Sequence, residues 1–152
     1  MSDLINYSDR IFAESDEILL INEYYPVDED SYFSIRLKGS MDEVGKIIFS
    51  TKLNNIYGNV SYEILPNYRG YKYAQKALKL LAENIYNLSD EDLYIAILPD
   101  NKASIKTAIN AGATLVNKVQ IPKKYNFSID EKYKYVNMYI IKNNRSKTKW
   151  EK

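Results

Sequence analysis

The run Pro66-Asn67-Tyr68-Arg69-Gly70-Tyr71-Lys72-Tyr73-Ala74 is the part of this chain best suited to chemistry. Before it, Val60, Tyr62 and Ile64 alternate with Ser61, Glu63 and Leu65, the period of a strand. After it, Ala74, Ala77, Leu78, Leu81, Ala82, Ile85 and Leu88 recur at helical spacing and give one apolar face. A tight turn from strand to helix leaves backbone N–H groups without partners at the positive end of the helix dipole. Such a turn suits a phosphate group. Gly70 can adopt a positive φ or let a ligand approach the backbone. The plain alternative for the same residues is an ordinary turn.

A second constellation is Asn101 with Ser104, which opens a helix predicted to run to about Ala111 and to end at Gly112. Asn101 has the residue type of a helix cap. It follows the apolar run Leu93 to Leu98, closed by Pro99 and Asp100. Strand 59–65, the helix after it and strand 93–98 form a strand–helix–strand unit, for which a right-handed crossover and a parallel pair are expected. Ligand crevices in open sheets lie beyond the carboxyl ends of such strands. Both constellations therefore open at one edge of the sheet.

The chain has no cysteine and no histidine. That removes disulfides, thiolate nucleophiles, Ser-His dyads and metal sites built on His or Cys. Proton transfer must use Asp, Glu, Tyr, Lys, a terminus or water. No metal is expected.

Together the two blocks resemble the GNAT N-acetyltransferase superfamily. That family's acetyl-CoA signature appears here as Arg69, Gly70, Tyr71, Lys72, Tyr73 and Ala74, with Pro66 ahead. Its second block appears as Asn101, Ser104, Gly112 and Ala113. The likeness runs from about Val44 to Ile121, and the form with Ser104 looks closer to the branch that acetylates ribosomal-protein N-termini. The resemblance implies a mixed, mostly antiparallel sheet of six or seven strands with one central parallel pair and helices on both faces. It implies acetyl-CoA as co-substrate and direct transfer of acetyl to an amine, whether a protein N-terminus, a lysine or a small molecule. Backbone groups near Tyr62, Glu63 and Ile64 would bond the pantetheine arm like an added strand. The N–H groups of Gly70 to Ala74 would hold the pyrophosphate, with Lys72 and Lys76 within reach of its oxygens. Asn101 would bond the pantetheine amide, and Ser104 would line the thioester end.

Three departures from the family pattern stand out. Lys72 occupies the usual second glycine, Ala108 the usual tyrosine acid, and Ala96 the place of a glutamate base found in some relatives. Glu63 is then the leading candidate base, with Tyr62 and Tyr94 as candidate acids. A solvated strand carboxylate and tyrosines packed in the core are the plain alternatives. A non-catalytic acyl-CoA-binding protein on the same fold is the rival reading.

The supporting elements fit one domain over 1–142 and a flexible basic tail over 143–152. Further strands are expected at 17–21, 33–37, 44–49, 114–121 and 133–141, the last two joined by a loop at Pro122 to Lys124. The first 27 residues are poorly patterned, with little of the helix that relatives place over the acceptor groove. At 152 residues, 45% hydrophobic and 27% charged, the chain reads as a soluble globular protein. No apolar run approaches the ~20 residues of a membrane span, and no secretory signal is apparent, so a cytoplasmic location is the expectation. Net charge is +1, but residues 1–66 are acidic and residues 67–152 basic. The split favours a polyanionic ligand on the second half. A nucleic-acid module using the basic tail is a weaker reading, and pairing of the last strands across a homodimer rests on analogy.

Overall fold

Short turns between alternating segments build one antiparallel sheet. The computed structural model describes residues 7–23, 30–54, 57–121 and 134–143. Its strands are β1 (Ile11–Glu14), β2 (Ile18–Asn22), β3 (Asp30–Leu37), β4 (Glu43–Asn54), β5 (Gly58–Ile64), β6 (Leu93–Ile97), β7 (Thr114–Gln120) and β8 (Tyr135–Ile141). Helix α1 (Tyr73–Asn84) joins β5 to β6, and α2 (Lys102–Asn110) joins β6 to β7. The strand order is β1-β2-β3-β4-β5-β6-β8-β7. The loop at Pro122 to Lys124, the strand's expected start at Tyr133 and the tail beyond Asn143 lie outside the described residues.

Register turns alternation into a core. Leu20 pairs with Ile35, Phe33 with Ile47 and Phe49 with Val60, so these side chains share one face. Ala77, Leu78, Leu81 and Ile85, on the apolar stripe of the helix, pack onto that face. Ala108 and Ala111 join the same core beside Ile95 and Ile97. The two helices touch each other over this single core, so the helical cover expected on both faces is seen on one. On the opposite face Leu19, Ile21, Val136 and Met138 are buried as well.

The mixed α/β class and the GNAT-like arrangement hold, with two differences of detail. The described residues form eight strands rather than six or seven, because β1, a four-residue strand at the sheet edge, pairs with β2. The central parallel ladder is not formed. β5 and β6 meet at one residue pair, Gly58–Ile95, which has the antiparallel pattern. The cause is local. Gly58 sits at φ +72, and a Cβ there would lie 2.2 Å from the Tyr94 carbonyl oxygen. The next residue, Asn59, is buried and takes over the hydrogen bonds that a ladder would make. Its Nδ2 donates to the Asp92 carbonyl at 2.9 Å, and its Oδ1 accepts from the Tyr94 N–H at 2.7 Å. Beyond this side-chain bridge the strands part.

Candidate functional site

A cavity of about 680 Å³ lies between the end of β5, the turn that follows it, and the helices α1 and α2. Tyr62, Glu63 and Ile64 from the end of β5 line it, as do the turn Tyr68–Gly70 and the first turn of α1. Asn101, Ser104 and Lys106 line it from α2. The two constellations read from the sequence therefore meet in one place.

Among the described residues, the strand edge facing this cavity has no ladder partner at Tyr62 or Ile64. Glu63 and Leu65 face β4, where the Leu65 N–H donates to the Val44 carbonyl at 2.8 Å. Strand alternation then turns the N–H and C=O groups of Tyr62 and Ile64 toward the cleft. Arg69 Nε donates to the Ile64 carbonyl at 3.0 Å, which pins the turn to the strand it leaves.

The turn itself is wound by two residues at positive φ, Gly70 at +91 and Lys72 at +66. Lys72 caps α1 in the left-handed region without a side-chain bond. The expected departure from glycine is thus met by accepting the strained conformation, at a cost of roughly 1–2 kcal/mol. Its carbonyl accepts the first helical bond, from the Lys76 N–H at 3.0 Å. The N–H groups from Gly70 to Gln75 have no backbone partner among the described residues. Tyr71 is 60% exposed and stacks on Tyr73, with ring centroids 5.8 Å apart. Lys76 is ion-paired to Glu17.

Asn101 caps α2 as its residue type suggests, its Oδ1 accepting from the Ser104 N–H at 3.2 Å. Asn101 is also one of the residues that line the cavity.

The candidate acid–base residues are separated by the pleat. Glu63 points to the face away from the helices, where it lies opposite Lys46 in register. Its carboxylate is 63% exposed and 3.7 Å from the Lys46 ammonium. Tyr32 beside that ammonium, with Glu63, holds the Lys46 pKa above the usual lysine value. Tyr62 points to the helix face, with its ring against the core. Its hydroxyl is buried and makes no hydrogen bond of normal geometry among the described residues. Burial pushes the phenol pKa up, and the nearby Ser104 side chain pulls it partly back. Tyr94 pairs with Ile140, on the face away from the core cluster, and does not line the cavity. Ala108 is fully buried on α2.

Sequence reasoning did not single out Asn59, Lys46 or Lys106. Gly-Asn at the start of a strand was the available signal for the first. The Lys46–Glu63 pair needs the register of β4 on β5 to be seen.

Comparison with known proteins gives a consistent picture. The family model for the acetyltransferase (GNAT) domain matches residues 9–114. No curated protein sequence matches the chain. Among solved structures, the chain is similar to the spermidine N-acetyltransferase of Vibrio cholerae in complex with CoA and spermine, with TM-score 0.58 and 16% identity, covering 77% of this chain and 68% of that one. It is similar to the ribosomal-protein-S5-alanine acetyltransferase of Vibrio fischeri, with TM-score 0.57 and 18% identity over 77% and 63% of the two chains. A microcin C7 self-immunity acetyltransferase in complex with acetyl-CoA and AMP matches at TM-score 0.55 and 21% identity, over 75% and 61%. At these identities the structural likeness is one of fold. No described helix is long and apolar enough to cross a membrane.

Proposed function

We propose, since this chain belongs to the GNAT family of N-acetyltransferases, that it moves acetyl from acetyl-CoA directly to an amine held in the same complex. The observation that carries the reading is the cleft: unpaired N–H groups from Gly70 to Gln75 at one end, and the open edge of Tyr62 and Ile64 at the other. The donor set fits a pyrophosphate joined to an amide-bearing arm. Arg69, Gly70, Tyr71, Lys72, Tyr73 and Ala74 hold the phosphates, Ile64 and Asn101 bond the arm, and Ser104 lines the thioester end.

The pleat gives the reaction two sides. An amine enters from the Glu63 face, and the sulfur leaves on the helix face. Glu63 is the base that takes the surplus proton of the attacking amine, directly or through water. The Lys46 ammonium stands 3.7 Å from that carboxylate. An amine acceptor is also what two of the similar proteins use, the spermidine N-acetyltransferase and the ribosomal-protein-S5-alanine acetyltransferase.

Thermal unfolding with acetyl-CoA, CoA and ATP tests the reading. A ligand of the native state at ~100 times its dissociation constant adds about 2.7 kcal/mol. A rise with acetyl-CoA and CoA but not with ATP is the expected result. No rise with any of them sinks the proposal. The second reading, an acyl-CoA-binding protein without turnover, is favoured by Ala96 and the buried Ala108. It predicts the same thermal shift with no CoA release across an amine panel.

A further inference from the structure

Resting on the acetyl-transfer reading above, we propose that the Tyr62 hydroxyl gives its proton to the departing CoA sulfur, and that the Ser104 hydroxyl behind it restores that proton. A buried hydroxyl with no hydrogen-bond partner costs free energy to keep, so an orphan of this kind needs a reason. Tyr62 is such an orphan among the described residues, and it lines the cavity together with the Ser104 side chain. The sequence leaves Tyr62 and Tyr94 as alternatives. Strand pairing separates them, because Tyr94 does not line the cavity. Tyr68 and Tyr73 line it too, but at the phosphate end, on the turn and first helical residue of the cradle.

The step balances. The amine nitrogen bonds the acetyl carbon, the carbon–sulfur bond breaks, and its electron pair goes to sulfur. Sulfur takes the Tyr62 proton, while the surplus amine proton leaves toward Glu63. The Tyr62 oxygen regains a proton from Ser104, which is refilled by water at the cavity mouth. Burial suits the role, since it keeps the phenol protonated until a thiolate forms beside it. The charged residues that line the same cavity are Glu63, whose carboxylate pairs with Lys46 on the other face of β5, and Arg69, Lys72 and Lys106.

The test uses the full chain as wild type, Tyr62→Phe and Ser104→Ala. Acetyl-CoA must first raise the melting temperature of the wild type. No rise overturns the acetyl-transfer reading and this inference with it, whereas a rise isolates the inference. The ionisation of the thiol of bound CoA is then followed by thiolate ultraviolet absorbance, with desulfo-CoA as blank. A hydroxyl aimed at the sulfur lowers the pH of that ionisation by about one unit relative to Tyr62→Phe. Ser104→Ala falls between the two. Equal titrations in all three proteins overturn the inference. Without ligand, Tyr62→Phe melts at or above the wild-type temperature, because an unpartnered group has been removed. A clear fall shows that the hydroxyl has a structural partner, and also overturns the inference.

Discussion

Replacing Asn59 with alanine removes the bridge that stands where β5 and β6 part. Asn59 is 4% exposed, and its amide makes two short bonds, to the Asp92 carbonyl and from the Tyr94 N–H. Alanine leaves both backbone groups in place with no partner. An unsatisfied buried backbone group costs about 1–3 kcal/mol. The expected loss is therefore about 2–6 kcal/mol, a large share of the roughly 5–15 kcal/mol that holds a domain folded. For a chain of this size that is a fall in melting temperature of roughly 4–24 °C. Urea unfolding with a shared m-value gives the free-energy change directly. Asn59→Asp refines the test. Its carboxylate still accepts from Tyr94, but it faces the Asp92 carbonyl without a donor. It should lose at least half as much at neutral pH and recover part on acidification, when the carboxyl gains an O–H. Asn117→Ala, at an exposed position whose side chain bonds only the next N–H, is the control and should stay within about 0.5 kcal/mol. If Asn59→Ala also stays within that margin, the parting of the strands has another cause and the argument from the side-chain bridge is wrong.

Lys72→Gly relieves the left-handed residue at the helix cap and should add about 1 kcal/mol in denaturant unfolding, while weakening acetyl-CoA in calorimetry because an ammonium is lost from the cradle. Glu63→Gln should slow amine-dependent CoA release by roughly 100-fold with the acetyl-CoA dissociation constant unchanged; an unaltered rate removes Glu63 from the chemistry. The raised Tyr62 pKa means that the folded state holds this proton more tightly than the unfolded chain does. That contribution is intact below about pH 10 and is lost as pH rises toward the folded value. Urea unfolding at increasing alkalinity should therefore show the wild type losing stability faster than Tyr62→Phe.

Much of the site was legible because it depends on local pattern. Alternation ending at Ile64, glycine and basic residues in the turn, and apolar spacing after Tyr73 specify a strand, a turn and a helix without tertiary information. Asn101 followed by Ser104 reads as a cap for the same reason. The separation of Glu63 from Tyr62 was also implicit, since neighbours on a strand face opposite sides. What could not be read depends on pairing. The crossover argument ties the placement of β5 and β6 to helix handedness, but it says nothing of whether their backbones bond. One buried amide side chain decided that. β1 escaped notice because four residues are too few to show a period, and its partner is known only once β2 is placed. The pairing of Lys46 with Glu63 is invisible until register is fixed.

The sheet order has a consequence for biosynthesis. β8 is last among the described strands, yet it lies between β6 and β7 rather than at an edge. Until it leaves the ribosome, β6 has no ladder on that side, and it touches β5 through one residue pair. Asn143, just after β8, is 1% exposed and anchors the start of β6: its N–H donates to Asp92 Oδ1, and its Nδ2 donates to the carbonyls of Ser89 and Glu91. Helix α2, which lines the cleft opposite β5, follows β6 and packs against it. A nascent chain stalled before β8 thus carries every residue that lines the cleft, but the strand beneath α2 still lacks its ladder partner. The placement of α2 against the anion cradle is therefore fixed late, in a step governed by long-range contacts.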